Sequence, residues 1–203
     1  MTKRASTDGY ASEAQIILKR YESASSERVH GEMLQWFPKA PAYVLDIGAG
    51  TGRDAAYFAA RGHRVLAVEP VAEMRDGAQR LHPDPEIEWL DDRLPDLGKV
   101  AARDEHFDMI MLSAVWMHLD ADERASGMTR IVSLLKPGGR LFMSLRHGLV
   151  PEGRRMFEVT GAETEVLATE QGLKLLHQAR VPSIGAANIA NGVEWTVLAF
   201  EKR

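Results

Sequence analysis

Residues 44–55 read VLDIGAGTGRDA, and this stretch decides the fold. An apolar run of strand length ends in glycines at every second position, Gly48, Gly50 and Gly52, and a helical segment follows. Glycine adopts backbone angles that other residues resist, and it lets a ligand approach the main chain without a Cβ in the way. In open α/β sheets, ligands bind in the crevice at the carboxyl ends of the strands. The stretch therefore predicts a ligand-binding loop at that edge of a sheet.

Apolar runs of strand length alternate with helical segments over most of the chain. Strands that are apolar on nearly every residue are typical of a mostly parallel sheet that helices cover on both faces. The pattern therefore predicts an α/β, doubly wound sheet. The predicted strands are 43–47, 64–68, 86–90, 107–112 and 140–145, and the helices between them lie at about 54–61, 72–81 and 121–135.

The last part of the chain has a different pattern. After a predicted helix at about 161–171, the apolar runs 173–181 and 194–201 are joined by an irregular loop without room for a helix of ordinary length. Such a connection favours an antiparallel pair over another crossover unit. Before this region, KPGG at 136–139 has Pro second and Gly third, which predicts a turn.

The beginning of the chain is predicted to be helical. Apolar residues recur at three- and four-residue spacing over 12–37, with an interruption, SASS, at 23–26. This pattern predicts two amphipathic helices with an N-cap at Ser25 or Ser26. A chain of 203 residues that is 45% hydrophobic is expected to form one domain over 1–203, with 1–38 as a helical lid segment within it.

Composition argues against several classes of function. The formal net charge is −4 and the basic residues are scattered, so no nucleic-acid partner is expected. There is no cysteine, which excludes disulfides and thiolate chemistry. The longest apolar stretch, 109–117, is far below the ~20 residues of a membrane span, so a soluble cytoplasmic protein is expected. His118 and Asp120 have no further partner at zinc-like spacing, and no metal is expected.

The glycine spacing helps to separate two cofactor classes. In the dinucleotide pattern G-x-G-x-x-G/A the last position allows close helix–strand packing, but counting from Gly48 puts Arg53 there. Glu69 ends the second strand, where in either class a carboxylate can accept hydrogen bonds from two ribose hydroxyls. Two further features separate the classes and argue against the dinucleotide-binding class: Asp46 inside the first strand, and the antiparallel end of the sheet.

Five motifs in order resemble the class I S-adenosylmethionine-dependent methyltransferases. The resemblance covers about residues 40–146. It implies a Rossmann-like seven-stranded sheet of order 3-2-1-4-5-7-6 with strand 7 antiparallel, N-terminal helices over the cofactor site, and S-adenosylmethionine as cofactor. The motifs are VLDIGAGTGRDA at 44–55, the VEP that contains Glu69, WLDD at 89–92, FDMIMLSAVWMHL at 107–119 and LLKPGGRLFMSL at 134–145.

The resemblance implies which residues hold the cofactor. Asp46 and the glycines would shape the loop around the methionine moiety, although Asp46 can equally anchor the loop amides. Glu69 would bind the ribose. Either Asp91 or Asp92 would receive the adenine amino group. The full set of implied positions is Asp46, Gly48, Ala49, Gly50, Glu69, Pro70, Val71, Asp91, Asp92, Leu94, Ser113 and Ala114.

The other candidates come from the chemistry of the residues. Arg53 either begins a helix with Asp54 or pairs with the cofactor carboxylate, which a guanidinium fits geometrically. His118 and His147 follow the fourth and fifth strands, where either is a candidate general base or a hydrogen-bonded loop residue. Arg146 is a candidate for binding an anionic acceptor or for covering the rim of the pocket.

The expected function is methyl transfer to a small-molecule acceptor. The chain has SAVW after the fourth strand, where family members that methylate amino groups of nucleic acid or protein have an N/D-P-P-Y/F motif. Tyr10 and Tyr21 are candidates for a lid over the cofactor. One alternative is a non-catalytic protein that binds S-adenosylmethionine or S-adenosylhomocysteine. A second is an NAD-dependent oxidoreductase, although no Y-x-x-x-K is present.

Overall fold

The computed structural model describes residues 6–203, and its central feature is a seven-stranded sheet. The strands lie in the order β3-β2-β1-β4-β5-β7-β6, as the resemblance implied, and the fold class is confirmed. The strands are β1 Tyr43–Ile47, β2 Arg64–Val68, β3 Ile87–Leu90, β4 Phe107–Ser113, β5 Leu135–His147, β6 Leu173–Pro182 and β7 Glu194–Lys202.

Helices surround this sheet. They are α1 Tyr10–Tyr21, α2 Ser26–Val29, α3 Arg53–Ala59, α4 Ala72–Leu81, α5 Gly98–Ala101, α6 Ala121–Leu134, α7 Gly161–Glu170 and α8 Ala186–Ala190, with 3₁₀ segments at Gly31–Trp36 and Trp116–His118. In the part of the chain that the structure describes, no helix has both the length and the apolar character needed to cross a bilayer.

The direction of the strands changes at β7. Strands β1 to β5 pair in parallel, whereas β7 runs antiparallel to both β5 and β6. The parallel strands therefore bring their carboxyl ends to one edge, where ligands bind in sheets of this type. The antiparallel β7 also argues against the oxidoreductase alternative, which was expected to continue with parallel strands.

Alternate residues of the strands belong to two different cores. Leu45 and Ile47 of β1 lie in one buried cluster, which includes residues of α6 and α7, whereas Val44 lies in another with Phe58 of α3. Because neighbouring side chains of a strand point to opposite faces, the sheet is buried on both sides. Such burial explains why the strands read as nearly continuous apolar runs.

The N-terminal region differs from its prediction. Ser25 is the N-cap of α2, where its side chain accepts a hydrogen bond from the Arg28 N–H. The expected second amphipathic helix through Phe37 is wrong, because α2 ends at Val29 and the chain continues as a 3₁₀ segment. Gly31, a poor helix former, stands at this change.

Two smaller features are also resolved. KPGG is a turn-like bulge inside the bounds of β5: Gly138 has φ +74, and the pairing with β4 jumps from Leu135 to Arg140. The loop before β7 contains the short helix α8, and α5 precedes β4; both were missed because helices of four or five residues have too little periodicity to detect.

Candidate active site

The glycine loop is attached to the end of the neighbouring strand. The N–H groups of Gly48 and Ala49 both donate to the Val68 carbonyl of β2, at 2.8 and 3.0 Å. The next N–H, that of Gly50, donates to Glu69 Oε2 at 2.8 Å, and Glu69 Oε1 accepts from the Val71 N–H at 2.9 Å. The acid at the end of β2 therefore holds both the loop and the start of the chain into α4.

Two glycines of the loop are required for different reasons. Gly48 has φ +70, and a Cβ there would lie 2.5 Å from a methyl group of Val115. Gly50 has φ +59, but a Cβ there would have only the Gly48 carbonyl within 4 Å, at 3.8 Å. Packing thus requires Gly48, whereas a side chain on Gly50 would enter the open space that the loop surrounds.

That space is a cavity of about 120 Å³. It extends from the glycine loop and Glu69 past the ends of β3 and β4 to His118, and residues of α1 also line it. Among the residues assigned a role from the sequence, those that line it are Gly48, Gly50, Glu69, Pro70, Val71, Asp92, Leu94, Ser113, Ala114 and His118. One cavity therefore unites most of the positions that the resemblance implies.

The other assigned residues lie outside the cavity wall. These are Asp46, Ala49, Arg53, Asp91, Arg146 and His147. Their places in the structure show what each side chain contacts instead.

Asp46 is a buried acid next to the loop. It is 1% exposed, and its Oδ2 has no hydrogen-bond partner within residues 6–203. Burial, followed by the negative charges of Asp54 and Glu69, raises the pKa of Asp46 well above its usual range, with only partial opposition from Arg53. An orphaned buried carboxyl oxygen at this position is suited to a cationic group that binds beside the loop.

Arg53 is bonded to its neighbour in the chain. Its Nε and Nη2 donate to the two carboxylate oxygens of Asp54, at 2.9 and 2.8 Å. His30 Nε2 lies 2.9 Å from Asp54 Oδ2, and the Ser26 hydroxyl donates to Oδ1. Although burial opposes it, His30 and Arg53 hold the pKa of Asp54 far below its usual range. Asp54 thus joins the N-terminal segment to α3, with Arg53 bonded to the same carboxylate, and the pairing of Arg53 with a cofactor carboxylate stays a prediction.

The two acids after β3 have different surroundings. Asp91 is exposed, and its carboxylate lies 3.7 Å from Arg75 and 3.5 Å from Lys99. Asp92 lines the cavity, and its Oδ2 accepts from the N–H groups of Lys99 and Val100, at 2.8 and 2.9 Å. Of the two, Asp92 is the one placed to meet a ligand, because α5 fixes its carboxylate at the cavity wall.

His118 lines the same cavity as Glu69. It is 5% exposed, its Nε2 is 3.0 Å from the Tyr10 hydroxyl, and its Nδ1 is 2.7 Å from the Arg155 carbonyl oxygen. Burial lowers the pKa of His118, and the cations of Arg154 and Arg155 lower it further, against the opposing effect of the Arg155 carbonyl. A neutral imidazole at this position can accept a proton.

His147 and Arg146 lie beyond this wall. His147 Nε2 is 2.8 Å from the Thr196 hydroxyl of β7, and Arg146 donates to the Leu149 carbonyl at 2.7 Å. Burial lowers the pKa of both side chains. His147 is bonded to the antiparallel strand instead of facing the cavity, which weakens its candidacy as a base.

Helix α1 covers the cavity from outside the sheet. Tyr10 and Tyr21 both line it, because they are about three turns apart and so lie on one face of the helix. The helix packs on α4 through Leu18, whose side chain fills the place a Cβ of Gly77 would need. Arg154 holds its other end, since it donates to Glu13 at 2.6 Å. Helix α1 therefore lies over the cavity, and its role as a lid stays a prediction.

Several cavity residues were not assigned from the sequence. Val115 and Leu119 belong to the SAVWMHL stretch, where they could have been found by extending the motif past Ala114. The others had no signal of their own, because they reach the cavity only through tertiary packing. These are Ser6, Thr7, Ile47, Met74 and Arg93. Within residues 6–203, no three His, Asp or Glu side chains converge as a metal site would require.

Comparisons with known proteins show which family the chain is similar to. The model of a family described as "Methyltransferase domain" matches residues 45–143, from the first strand to the fifth. An uncharacterized methyltransferase of Mycobacterium tuberculosis is 31% identical over 111 residues, which are 54% of this chain and 42% of that protein. The chain thus spans less than half the length of this curated relative.

Solved structures are similar over nearly the whole chain. The 1,6-didemethyltoxoflavin-N1-methyltransferase of Burkholderia thailandensis, with bound 1,6-didemethyltoxoflavin and S-adenosylhomocysteine, is 25% identical at a TM-score of 0.63 and covers 100% of this chain and 92% of its own. The N-methyltransferase NodS of Bradyrhizobium japonicum, in complex with S-adenosylhomocysteine, shares the fold at a TM-score of 0.71 and 16% identity, covering 96% and 99%. Residues 45–143 are therefore a methyltransferase domain of the class I family whose methyl donor is S-adenosylmethionine.

Proposed function

We propose that the protein transfers a methyl group from S-adenosylmethionine to a small-molecule acceptor. The observation that carries this proposal is the cavity that Gly50, Glu69 and His118 line together. Methyl transfer is an in-line displacement, so the protein must mainly hold donor and acceptor in contact. A cavity that donor-binding residues and a base line together meets that requirement.

The donor end has groups that fit each part of S-adenosylmethionine. The Glu69 carboxylate has free lone pairs beyond its two backbone bonds, which suits the ribose hydroxyls. Asp92 and Leu94 line the wall for the adenine, and Gly50 leaves room for the chain of the cofactor beside the loop.

The cavity is small, and residues of α1 cover it. At about 120 Å³ the cavity is below the ~300 Å³ at which ligand pockets begin. Residues of α1 and the segment before it, Ser6, Thr7 and Tyr10, line it, so their displacement is the direct way to enlarge it. A site that must open a lid to admit donor and acceptor together favours a small acceptor over a polymer, and the scattered positive charge of the chain agrees with this.

The test begins with binding. S-adenosylhomocysteine, S-adenosylmethionine and NAD are titrated by calorimetry into the purified protein, and we expect the first two to bind and NAD not to bind. Transfer of a labelled methyl group is then measured on a panel of small metabolites, with Glu69→Ala as the cofactor-site variant and Glu73→Ala, exposed on α4, as its matched control. Turnover that Glu69→Ala abolishes supports the enzyme. Tight binding of S-adenosylmethionine without transfer to any acceptor favours the non-catalytic alternative.

A further inference from the structure

A hydrogen-bonded chain of three groups lies at the acceptor end of the cavity. The Tyr10 hydroxyl is 3.0 Å from His118 Nε2, and His118 Nδ1 is 2.7 Å from the Arg155 carbonyl oxygen. A carbonyl oxygen only accepts hydrogen bonds, so Nδ1 must carry the ring proton. In the neutral ring Nε2 is then the acceptor, and the Tyr10 hydroxyl donates to it. The basic lone pair of His118 is thus engaged by the Tyr10 hydroxyl, so a proton can reach it through the phenol oxygen.

Cations surround this chain of groups. The Arg154 guanidinium lies 4.1 Å from the centre of the Tyr10 ring. Arg155 donates to the His118 carbonyl at 3.1 Å. Arg146 lies near enough for Tyr10 to affect its pKa, which burial lowers. Arg154 and Arg155 are offset by carboxylates, whereas Arg146 has no ion pair within residues 6–203 and donates to the Leu149 carbonyl. An ammonium group brought to this end would therefore meet one positive charge that no ion pair offsets.

The nearby carboxylates are already paired with these arginines. Glu13 binds Arg154 at 2.6 Å, and Glu123 binds Arg155 at 2.7 Å. Among the described residues that line the cavity, the carboxylates are Glu69 and Asp92. The hydrogen bonds of Tyr10 and His118 go to each other and to the Arg155 carbonyl, so neither of these two carboxylates is bonded to the pair.

The rest of this end is flat and apolar. The rings of Tyr10 and Tyr21 line one side, and Val115 and Leu119 line the cavity after β4. Aromatic and branched side chains of this kind favour a planar ligand with a polar edge.

From this arrangement we propose that the acceptor is a planar compound with an acidic hydroxyl or ring N–H, and that Tyr10 is a catalytic residue that receives its proton and relays one to His118. The inference rests on the proposed methyl transfer and names its substrate class. An aliphatic amine is excluded as acceptor because it enters as a cation.

The transfer is balanced in atoms and charge. The acceptor's oxygen or nitrogen lone pair forms a bond to the methyl carbon that S-adenosylmethionine supplies, while the carbon–sulfur bond breaks and its electron pair stays on sulfur. The acceptor's proton passes to the Tyr10 oxygen as the Tyr10 proton passes to His118 Nε2. One positive charge is lost at the sulfonium and one is gained at the imidazolium, so Tyr10 ends as a neutral phenol.

The experiment uses two probes of similar size and opposite charge. The whole protein is saturated with S-adenosylhomocysteine and titrated with 4-nitrophenol, which absorbs visible light only as its anion, or with 4-nitrobenzylamine, which is a cation at neutral pH. We expect 4-nitrophenol to bind at least about tenfold more tightly, and its apparent pKa to fall on binding. Equal or tighter binding of the amine, or an unchanged or raised pKa of bound 4-nitrophenol, overturns the inference.

Three variants test whether the pKa change of bound 4-nitrophenol depends on the proton relay from Tyr10 to His118. Tyr10→Phe keeps the ring and the contact with Arg154 but removes the hydroxyl. We therefore expect the apparent pKa of 4-nitrophenol bound to this variant to equal that of the free compound. His118→Asn keeps a donor toward the Arg155 carbonyl, removes Nε2, and is expected to act in the same way. Tyr57→Phe, on α3 outside the cavity, is the matched control and should behave as the unchanged protein. A Tyr10→Phe protein that still lowers the probe's pKa overturns the role of Tyr10.

The same titration separates this inference from the function on which it rests. If S-adenosylhomocysteine does not bind at all, the proposed methyl transfer fails. If it binds but the complex prefers the amine, methyl transfer stands and only the acceptor class is wrong.

Discussion

Glu69 accepts a hydrogen bond from the Gly50 N–H at 2.8 Å, so the acid that ends β2 also fixes the glycine loop that follows β1. Burial raises the pKa of this carboxyl, although the N–H groups of Val71 and Gly50 oppose the change. A side chain expected to bind the ribose therefore also keeps the loop in shape. A cofactor that binds here contacts a carboxylate that is already oriented.

Replacing Glu69 by Ala should weaken the binding of S-adenosylhomocysteine by about 1–3 kcal/mol, because charge-assisted hydrogen bonds to the ribose are lost. Calorimetric titration measures the change. Glu73→Ala removes an exposed acid from the first turn of α4 and should leave the affinity as it is. An unchanged affinity in Glu69→Ala would remove the ribose assignment.

Replacing Gly50 by Val should abolish binding of S-adenosylhomocysteine, since the new side chain would enter the cavity from a position that has almost no protein atoms nearby. A β-branched residue at φ +59 also costs about 1–2 kcal/mol in stability. Gly62→Val is the matched control, because Gly62 has φ +79 and nothing within 4 Å of its Cβ position. We expect similar losses in the unfolding temperature of both variants, but a loss of binding in Gly50→Val alone. Normal binding by Gly50→Val would show that the loop is not the site.

The parts of the fold that the sequence predicts are those set by local periodicity and glycine. The strands β1 and β2 begin and end at the predicted residues, because each is buried on both faces and reads as an apolar run. The region from His30 to Trp36 was predicted wrongly, since its helical pattern is overridden by tertiary contacts of Ser26 and His30 with Asp54.

The residues of the site also differ in whether the sequence could predict their positions. Residues at strand ends, such as Glu69 and His118, could be placed from the sequence because parallel strands bring their carboxyl ends to one edge. The partnership of Tyr10 with His118 could not, because the two residues are 108 positions apart and meet only when α1 folds over the sheet. For His147, the sequence placed the residue at the correct strand end but could not show that its side chain bonds to Thr196 on the antiparallel strand.

Replacing Asp46 by Asn should stabilise the protein increasingly as the pH rises. Burial and the charges of Asp54 and Glu69 raise the pKa of Asp46 in the folded state, so above about pH 3.9 the folded protein binds more protons than the unfolded chain. The contribution of Asp46 to the free energy of unfolding therefore falls with rising pH until the folded-state pKa is passed. Asn does not titrate, so the variant does not lose this stability. Urea unfolding at about pH 5 and about pH 8 measures the difference between variant and parent.

Asp108 in β4 provides a control for Asp46 with the opposite sign. Although burial opposes it, the Tyr43 N–H and Lys136 hold its pKa below the usual range, so its carboxylate stabilises the fold above about pH 3.9. Asp108→Asn should be less stable than the parent at both pH values. If Asp46→Asn loses as much stability as Asp108→Asn, then Asp46 is a stabilising carboxylate instead of a strained one.

The His118 ring should stay neutral well below the pH at which a free histidine becomes charged. Burial lowers its pKa from the ordinary value of 6.5, the cations of Arg154 and Arg155 lower it further, and on the side of α1 it meets only the neutral phenol of Tyr10, whose pKa burial raises. Because the folded-state pKa is depressed, protonation favours the unfolded chain, and this contribution to stability is lost as the pH falls below about 6.5. Nitrogen-detected NMR of the histidine rings between about pH 4 and about pH 8 measures the midpoint, with His118→Asn to assign the signal. Arg154→Met, which removes one cation, should move the midpoint upward. A midpoint at or above 6.5 in the unchanged protein would mean that burial and the two cations do not lower the pKa of His118.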